Sequence, residues 1–241
     1  MNLFLADLHV HTALSPCASP DMTPPRIVRE AEAQGLALIA VCDHNACGNA
    51  QAVARAAGER LKVIPGMEIT TAEETHVLGL FPSFEAAQQA ACRVQASLPA
   101  WAPPRGCTQQ RLLDPEGRIL GYESHLLAGS SGLSLAEAVD LIRSLGGLAV
   151  ASHVDRRAFS VIGQLGFLPP EVRFDALEIS AAGADGPYLV DLAIYDLGML
   201  YCGAAEYTTS PYSHLDFEQA EPPNEPPVTT AVLEGREGEA G

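Results

Sequence analysis

Short apolar runs with the length of β-strands alternate with helical patterns along most of this chain. The first strands are predicted at Leu3–Val10, Leu36–Cys42 and Leu61–Ile69, and helices at Pro24–Gln34 and Asn49–Ala57 fill the intervals between them. A helix between two strands returns the chain to the edge at which the first strand began. The repetition therefore predicts an α/β fold with parallel strands.

The alternation continues to about residue 203 with one interruption. Val77–Phe81 is predicted as a strand and Phe84–Ser97 as a helix, but residues 98–132 are rich in Pro, Gly and Arg and predict a long irregular excursion with a turn at 114–117. The later elements are predicted as helix Ser134–Leu145, strands Leu148–His153 and Ala176–Ser180, helix Tyr188–Leu197 and strand Met199–Gly203. We expect one domain over residues 1–215, followed by a disordered acidic, Pro-rich tail at 216–241.

The 241 residues carry a formal net charge of −16. This charge argues against binding nucleic acid or an anionic membrane through bulk electrostatics. A small phosphorylated substrate stays open as a partner, because bound divalent cations can reverse the local sign. Six cysteines without a CxxC pair, together with the lack of a signal peptide and of a long apolar run, predict a reduced, cytoplasmic protein. The sequence leaves the oligomeric state unknown.

Residues that can bind metal stand at the ends of the predicted strands. In Asp7-Leu8-His9-Val10-His11 the alternation of a strand places both histidines on one face, where they can bind one ion. Further ligands stand at the ends of later strands: His44, Glu68, His76 and His153. Strand ends converge at one face of a parallel α/β barrel. Imidazole and carboxylate groups together suit Zn, Mn or Fe, and a bridging Glu suits a cluster of ions.

This order of motifs resembles the PHP family, the polymerase and histidinol phosphatase superfamily of metal-dependent phosphoesterases. The resemblance spans about Asp7 to Tyr207. It rests on Asp7-Leu8-His9-Val10-His11-Thr12, Asp43-His44, Gly66-Met67-Glu68 and His153, with Leu14-Ser15-Pro16-Cys17 and Asp155-Arg156 as in one bacterial subgroup. It implies a distorted barrel of about seven β/α units that holds two or three divalent ions at the strand C-termini.

The resemblance also implies a role for each ligand. His9 and His11 would hold a first metal, and Glu68 would bridge it to a second metal bound by His76 and His153. These five residues form the core of the implied site.

A third metal is implied on His44 and Cys17. Asp7 and Asp43 are implied to orient histidine rings, a function that metal sites usually need. His125 matches no ligand of the family.

The sequence departs from the family at its last motif, Asp-x-His. Aligned on Tyr207, Ala204 stands where the Asp would complete the first metal, and Glu206 stands where the His would complete the third. Glu206 can ligate a hard metal, whereas Ala204 has no ligand atom. In a second alignment, shifted by one residue, Glu206 replaces the Asp and His214 supplies the imidazole.

The resemblance implies hydrolysis of a phosphate ester on a small metabolite or nucleotide through a metal-activated hydroxide, with Glu68 at the catalytic centre. Arg156 and Arg157 follow His153 and are predicted to bind phosphate, because a guanidinium offers two donors to its oxygens. Arg105 is a weaker choice for the same task.

Two alternatives stay open at this point. The chain could be a PHP-like protein that keeps its metals as a binding or regulatory module but has lost or altered its catalysis, a reading motivated by Ala204. It could also cleave a C–N bond, as amidohydrolases with similar barrels do. Release of phosphate would identify a phosphoesterase, and release of ammonia would identify cleavage of a C–N bond. Metal binding without turnover would identify the binding or regulatory module.

Overall fold

The computed structural model describes residues 5–102 and 109–180, together with the backbone of a strand at 198–201. The strands are β1 (Ala6–Val10), β2 (Leu38–Val41), β3 (Lys62–Thr70), β4 (His76–Leu80), β5 (Arg111–Leu113), β6 (Ile119–Tyr122), β7 (Leu148–Ala151), β8 (Ala176–Ile179) and β9 (Gly198–Tyr201). The helices are α1 (Pro24–Ala33), α2 (Ala50–Ala57), α3 (Phe84–Gln95), α4 (Leu135–Ser144) and α5 (Val161–Leu165). The predicted helix at 188–197 and the predicted tail at 216–241 lie outside the described residues.

Seven strands form one curled, half-barrel sheet in the order β1-β2-β3-β4-β7-β8-β9. The predicted α/β class with a barrel-like sheet is thereby confirmed. Six of these strands run in the same direction, and β4 is antiparallel to both of its neighbours. The predicted parallel arrangement is therefore wrong for β4.

The short connection before β4 explains its reversed direction. Only residues 71–75 separate β3 from β4, and a parallel crossover needs a dozen residues or more. The two strands form a hairpin instead, in which Thr70 faces His76. As a consequence, the first residue of β4 lies at the sheet end where the parallel strands finish.

The alternation predicted for the first motif is interrupted in β1. Its register against β2 shifts between Asp7 and Val10, where β1 has one residue more than its partner. Leu8 packs with residues inside the curled sheet, whereas Val10 packs against the apolar side of α1 and α2. Such irregularities re-aim side chains near functional sites, so the strict two-faced pattern is wrong here.

The helices cover the outside of the sheet in two groups. Helices α1 and α2 pack on the first strands through Ile27, Val28 and Val53, and α3 and α4 pack on β3, β4 and β7. Helix α1 begins at Pro24 as predicted, and α4 begins with a capping box of Ser134 and Glu137. The short α5 was not predicted from the sequence. No helix in the described ranges is long and apolar enough to span a bilayer.

The region predicted as an irregular excursion contains a small hairpin. Strands β5 and β6 flank the predicted turn, in which Asp114 accepts hydrogen bonds from the backbone of Glu116 and Arg118. The buried side chain of Asn49 fastens this hairpin: it donates to Thr12 Oγ1 and to the carbonyl of Arg111, and it accepts from Leu113. One amide thus joins the hairpin to the segment that follows β1.

Replacing Asn49 by Ala is expected to lower the free energy of unfolding by about 2–4 kcal/mol, because buried partners lose their hydrogen bonds. Urea unfolding followed by circular dichroism measures this loss. Gln51→Ala, at an exposed position in α2 two residues after Asn49, serves as the control and should unfold near the wild-type midpoint. Equal midpoints for both variants would show that the amide does not fasten the hairpin.

Candidate metal centre

A single buried carboxylate stands among five imidazole rings. Glu68, on β3, is 1% exposed. Its Oε2 lies 3.3 Å from His9 Nε2, 3.4 Å from His11 Nε2 and 3.2 Å from His44 Nδ1, and its Oε1 lies 3.0 Å from His76 Nδ1 and 3.2 Å from His153 Nε2. We call these six residues the histidine–glutamate centre. All six were predicted as ligands from the sequence.

The sheet brings the centre together because each residue stands at the same end of a strand. His9 is on β1 and His11 follows it, His44 follows β2, His76 begins the reversed β4, and His153 follows β7. The backbone of His44 pairs with that of Glu68 in an isolated bridge. His153 has a φ of 29°, a left-handed backbone that histidine seldom adopts.

Glycine is needed where β3 passes β2, just before Glu68. A Cβ atom on Gly66 would lie 2.3 Å from Cys42 Sγ and 3.1 Å from the carbonyl oxygen of Val41. The sequence Gly66-Met67-Glu68 therefore combines a close strand approach with the central carboxylate. This is a physical reason for the Gly in that motif.

Glu178, which the sequence analysis did not identify, orients His9. Both of its carboxylate oxygens lie 3.0 Å from His9 Nδ1, and Oε2 accepts a hydrogen bond from the backbone N–H of His153. A carboxylate at Nδ1 favours a proton on that nitrogen and leaves the lone pair on Nε2. His9 Nε2 is buried without a hydrogen-bond partner among the described residues, so it is available as a ligand atom.

A hydroxyl relay fixes the ring of His11 in a similar way. The Ser15 hydroxyl donates to Asp43 Oδ1 at 2.6 Å, and Ser15 Oγ lies 2.9 Å from His11 Nδ1. Because Ser15 has one proton to donate, its oxygen accepts from Nδ1–H of His11. The lone pair of His11 is then on Nε2, which faces Glu68.

The two aspartates predicted to orient histidines act less directly. Asp43 reaches His11 only through Ser15, and it also binds the backbone N–H and hydroxyl of Thr12. Asp7 accepts a hydrogen bond from the backbone of His9 and not from its ring. Glu178 has the ring-orienting position that the sequence analysis gave to Asp7.

Burial and neighbouring charges set the protonation of the centre. Burial alone would raise the pKa of the Glu68 carboxyl, but His76, His9 and His44 hold that pKa well below its usual range. Burial opposes charge on His9, but Glu178 and Glu68 hold its pKa well above the usual value, so a metal ion at Nε2 would have to displace a proton there. Burial lowers the pKa of His44 well below that value. Glu68 therefore stays ionised.

Cys17 lies beside the centre. Its Sγ and the ring nitrogens of His11 and His44 lie within 4.8 Å of one another, close enough to hold one ion. Burial, followed by the charges of Glu68 and Asp43, raises the pKa of the Cys17 thiol to about 12. Ligation by Cys17 would therefore have to release this proton to solvent, as metals commonly cause thiols to do.

The donor set fits divalent metal ions. Two further groups of ligand atoms lie within 4.8 Å of one another: His9, His11 and Glu68, and His44, Glu68 and His76. Lone pairs on buried imidazole nitrogens and an ionised carboxylate are the donors that Zn, Mn and Fe accept. The described residues thus contain candidate metal sites that share Glu68.

Only some of the remaining predicted residues lie in the part of the chain that the structure describes. Arg156 is exposed on the loop after His153, and its charge opposes the rise in the pKa of Cys17, so it lies near the centre. Arg157 is exposed on the same loop. Arg105, Ala204, Glu206 and His214 lie outside the described residues.

His125 belongs to the excursion and not to the centre. Its Nδ1 lies 2.8 Å from Glu123 Oε1, and its backbone pairs with that of Ala100. This isolated His–Glu pair is a local contact of the hairpin region.

Comparison with solved structures finds similar folds in 27 chains, among them the following three. The lesion-specific endonuclease PfuEndoQ from Pyrococcus furiosus has a TM-score of 0.61 at 18% identity, and the match covers 83% of this chain and 47% of that one. A complex of Endonuclease Q with a 27-mer duplex substrate that has an abasic lesion at the active site has a TM-score of 0.61 at 18% identity. This match covers 83% of this chain and 48% of that one. A protein assigned as a metal-dependent phosphoesterase from Bifidobacterium adolescentis has a TM-score of 0.54 at 19% identity. This match covers 86% of this chain and 91% of that one. Comparison with curated proteins finds no significant match.

The chain spans about half the length of the endonucleases that it matches. The prediction that bulk charge excludes nucleic acid as a partner is wrong: one of the similar structures is seated on a duplex substrate. Net charge fails as a criterion because it sums over residues far from any site.

The match to a protein family rests on sequence and agrees with the geometry. The model of the PHP domain matches residues 7–155, more than half of the chain, and this range contains the whole histidine–glutamate centre. Members of this family depend on metal ions. This chain belongs to the PHP domain family.

Proposed function

We propose that this chain is a metal-dependent phosphoesterase. The observation that carries the proposal is the buried, ionised Glu68, with one oxygen facing three imidazoles and the other facing two. Membership in the PHP domain family and the hydrolase folds among the similar structures support a metal-dependent hydrolase. The assignment to phosphate esters is the finer step that we propose.

The proposed metal ligands follow the two oxygens of Glu68. His9 and His11 would hold a first ion on the Oε2 side, and His76 and His153 a second on the Oε1 side, bridged by Glu68. His44 also faces Oε2, where it can join Cys17 in a third site. Glu206 is proposed as a ligand from the sequence alone.

Bound divalent ions would neutralise the negative charge on the phosphoryl oxygens. They would also lower the pKa of a bound water molecule toward neutral pH. The chain's own residues have a separate task. Glu178 and Ser15 hold the protons on Nδ1 of His9 and His11, so that both Nε2 lone pairs point inward. Pre-set ligand orientation of this kind avoids rearrangement during the reaction.

Arg156 and Arg157 are proposed to bind the phosphate. Both are exposed on the loop after His153, and the charge of Arg156 acts on Cys17 at the edge of the centre. A guanidinium offers two parallel donors, which match the oxygens of a phosphoryl group. Both arginines also add positive potential beside a centre that contains acidic residues.

The substrate class includes esters of nucleic acid. An endonuclease cleaves phosphate esters, and two of the structures that share this fold are Endonuclease Q. Because those likenesses are at 18% identity, they support the fold and make nucleic acid a substrate to test.

The purified chain of residues 1–241 loaded with Mn or Zn is expected to cleave phosphate esters, because the ions would neutralise charge on the phosphoryl oxygens and supply a hydroxide that displaces the ester alcohol from phosphorus. Inorganic phosphate released from an aryl phosphate and a nucleotide panel, and strand cleavage of a duplex with an abasic site, measure this activity. A chelator should abolish it, and His9→Ala, which removes a proposed metal ligand, should lower it at least about 100-fold, the upper end of the loss seen when only an outer partner of a ligand is removed. Metal binding without any cleavage, or ammonia release from an amide, would contradict the proposal.

Glu68→Gln is expected to lose at least one equivalent of bound metal, because the amide lacks the negative charge shared by five imidazoles. Elemental analysis of dialysed protein measures metal content, and circular dichroism checks the fold. Glu123→Gln provides a matched control, since Glu123 also pairs with a histidine but lies away from the centre. Unchanged metal content in Glu68→Gln would remove Glu68 from the ligands.

Glu178→Gln is expected to weaken metal affinity about 10- to 100-fold, the usual effect of losing a carboxylate that orients a ligating histidine. Competition with a fluorescent zinc chelator measures affinity. The exposed Glu171→Gln has the same change of charge on the surface and should bind metal as the wild type does. Equal affinities for the two variants would show that Glu178 has no influence on His9.

A further inference from the structure

Phe159 has an unusual combination of backbone and exposure. It lies in the loop between His153 and α5, its φ is 59°, and its side chain is 44% exposed. A bulky residue in the left-handed region is strained, and glycine would adopt this backbone without cost. Core packing does not explain the phenyl ring either, because much of it faces solvent. Strain of this kind is often found at functional sites.

The ring of Phe159 forms part of the wall of the histidine–glutamate centre. It stacks on the ring of His76, with centroids 4.8 Å apart and planes 16° apart. The backbone carbonyl of Phe159 accepts a hydrogen bond from the N–H of His76 at 2.8 Å. His76 Nδ1 in turn lies 3.0 Å from Glu68. One imidazole therefore separates the phenyl ring from the central carboxylate.

The loop that carries Phe159 is fastened at several points. The Ser160 hydroxyl donates to the carbonyl of Arg156 and accepts from the backbone of Gly163 at the start of α5. Asp155 accepts hydrogen bonds from the backbone and hydroxyl of Ser180, which follows β8. These contacts hold the phenyl ring in place, so that a planar group can stack on it without ordering the loop first.

We propose that Phe159 determines substrate specificity by stacking on a nucleobase of the phosphate ester. One face of the ring rests on His76, a proposed metal ligand, and the 44% of Phe159 that is exposed to solvent leaves surface on which a second planar group can stack. A substrate whose phosphate lies between the centre and the arginines of the same loop would place its planar base on this ring. Stacking on an aromatic side chain accepts any base. This inference rests on the proposed phosphoesterase function and names its substrate class.

A simpler role for Phe159 would be to orient His76, since the two rings are stacked. The two roles differ in what a substitution changes. Loss of an orienting contact would lower metal content and would slow all substrates alike. Loss of a stacking platform would affect substrates that carry a base and leave metal content intact.

The test compares AMP with ribose 5-phosphate, which has the same phosphate ester without a base. In the same purified chain, Phe159→Leu is expected to lower the ratio of kcat/KM for AMP to that for ribose 5-phosphate about tenfold, mainly through KM. Phe159→Trp should keep or raise the ratio. Phe167→Leu, which removes another exposed phenyl ring, is the matched control and should leave the ratio unchanged. A short 5′-phosphorylated oligonucleotide, measured beside AMP, distinguishes a strand end from a free nucleotide as the source of the base.

Two results would overturn the inference: an unchanged ratio in Phe159→Leu, or an equal loss on both substrates together with loss of metal. Binding separates this inference from the proposed function. If the wild type cleaves none of the phosphate esters named for the proposed function, that function fails, and isothermal titration of AMP and ribose 5-phosphate into metal-loaded protein still tests the stacking. The wild type should then bind AMP about tenfold more tightly than ribose 5-phosphate, and Phe159→Leu should not. Equal affinities in the wild type would overturn the inference.

Discussion

The burial of one ionised carboxylate governs the organisation of this protein. Moving a carboxylate out of water costs several kcal/mol after relaxation, and partners of opposite charge must offset that cost. Glu68 is 1% exposed, and imidazole nitrogens surround both of its oxygens. Four different segments supply the five rings, so the sheet must bring the ends of β1, β2, β4 and β7 to the same place as Glu68 on β3. The packing of the sheet and the charge balance of the centre therefore depend on each other.

A second layer of polar groups makes the imidazoles useful as ligands. Glu178 binds Nδ1 of His9 and the backbone of His153, and the Ser15 hydroxyl connects His11 to Asp43. In both cases the outer nitrogen is occupied and the inner lone pair is left facing Glu68. Local charge in such a site is determined by buried groups a few ångströms apart, so the net charge of the whole chain does not decide the class of partner.

Elements with strong local signals were predictable from the sequence. Helices α1 and α4 begin at Pro24 and after Ser134 because proline and a capping serine act within one turn. Histidines at strand ends were identified because the spacing of apolar runs marks those ends. Strand direction was harder to predict, because only the five-residue connection before β4 indicates that His76 begins an antiparallel strand. The irregularity in β1 could not be predicted, because it depends on the pairing of β1 with β2.

The sequence by itself determined the α/β class, the family resemblance and the six residues of the centre, since each of these depends on residue types at short, regular spacings. The tertiary structure alone decided which nitrogen of each histidine faces Glu68, that Glu178 is the carboxylate that orients His9, and that Phe159 stacks on His76. His9 and Glu178 are 169 residues apart in the chain. No local pattern encodes a contact over that distance, because it forms only when the sheet has curled and closed the gap between β1 and β8.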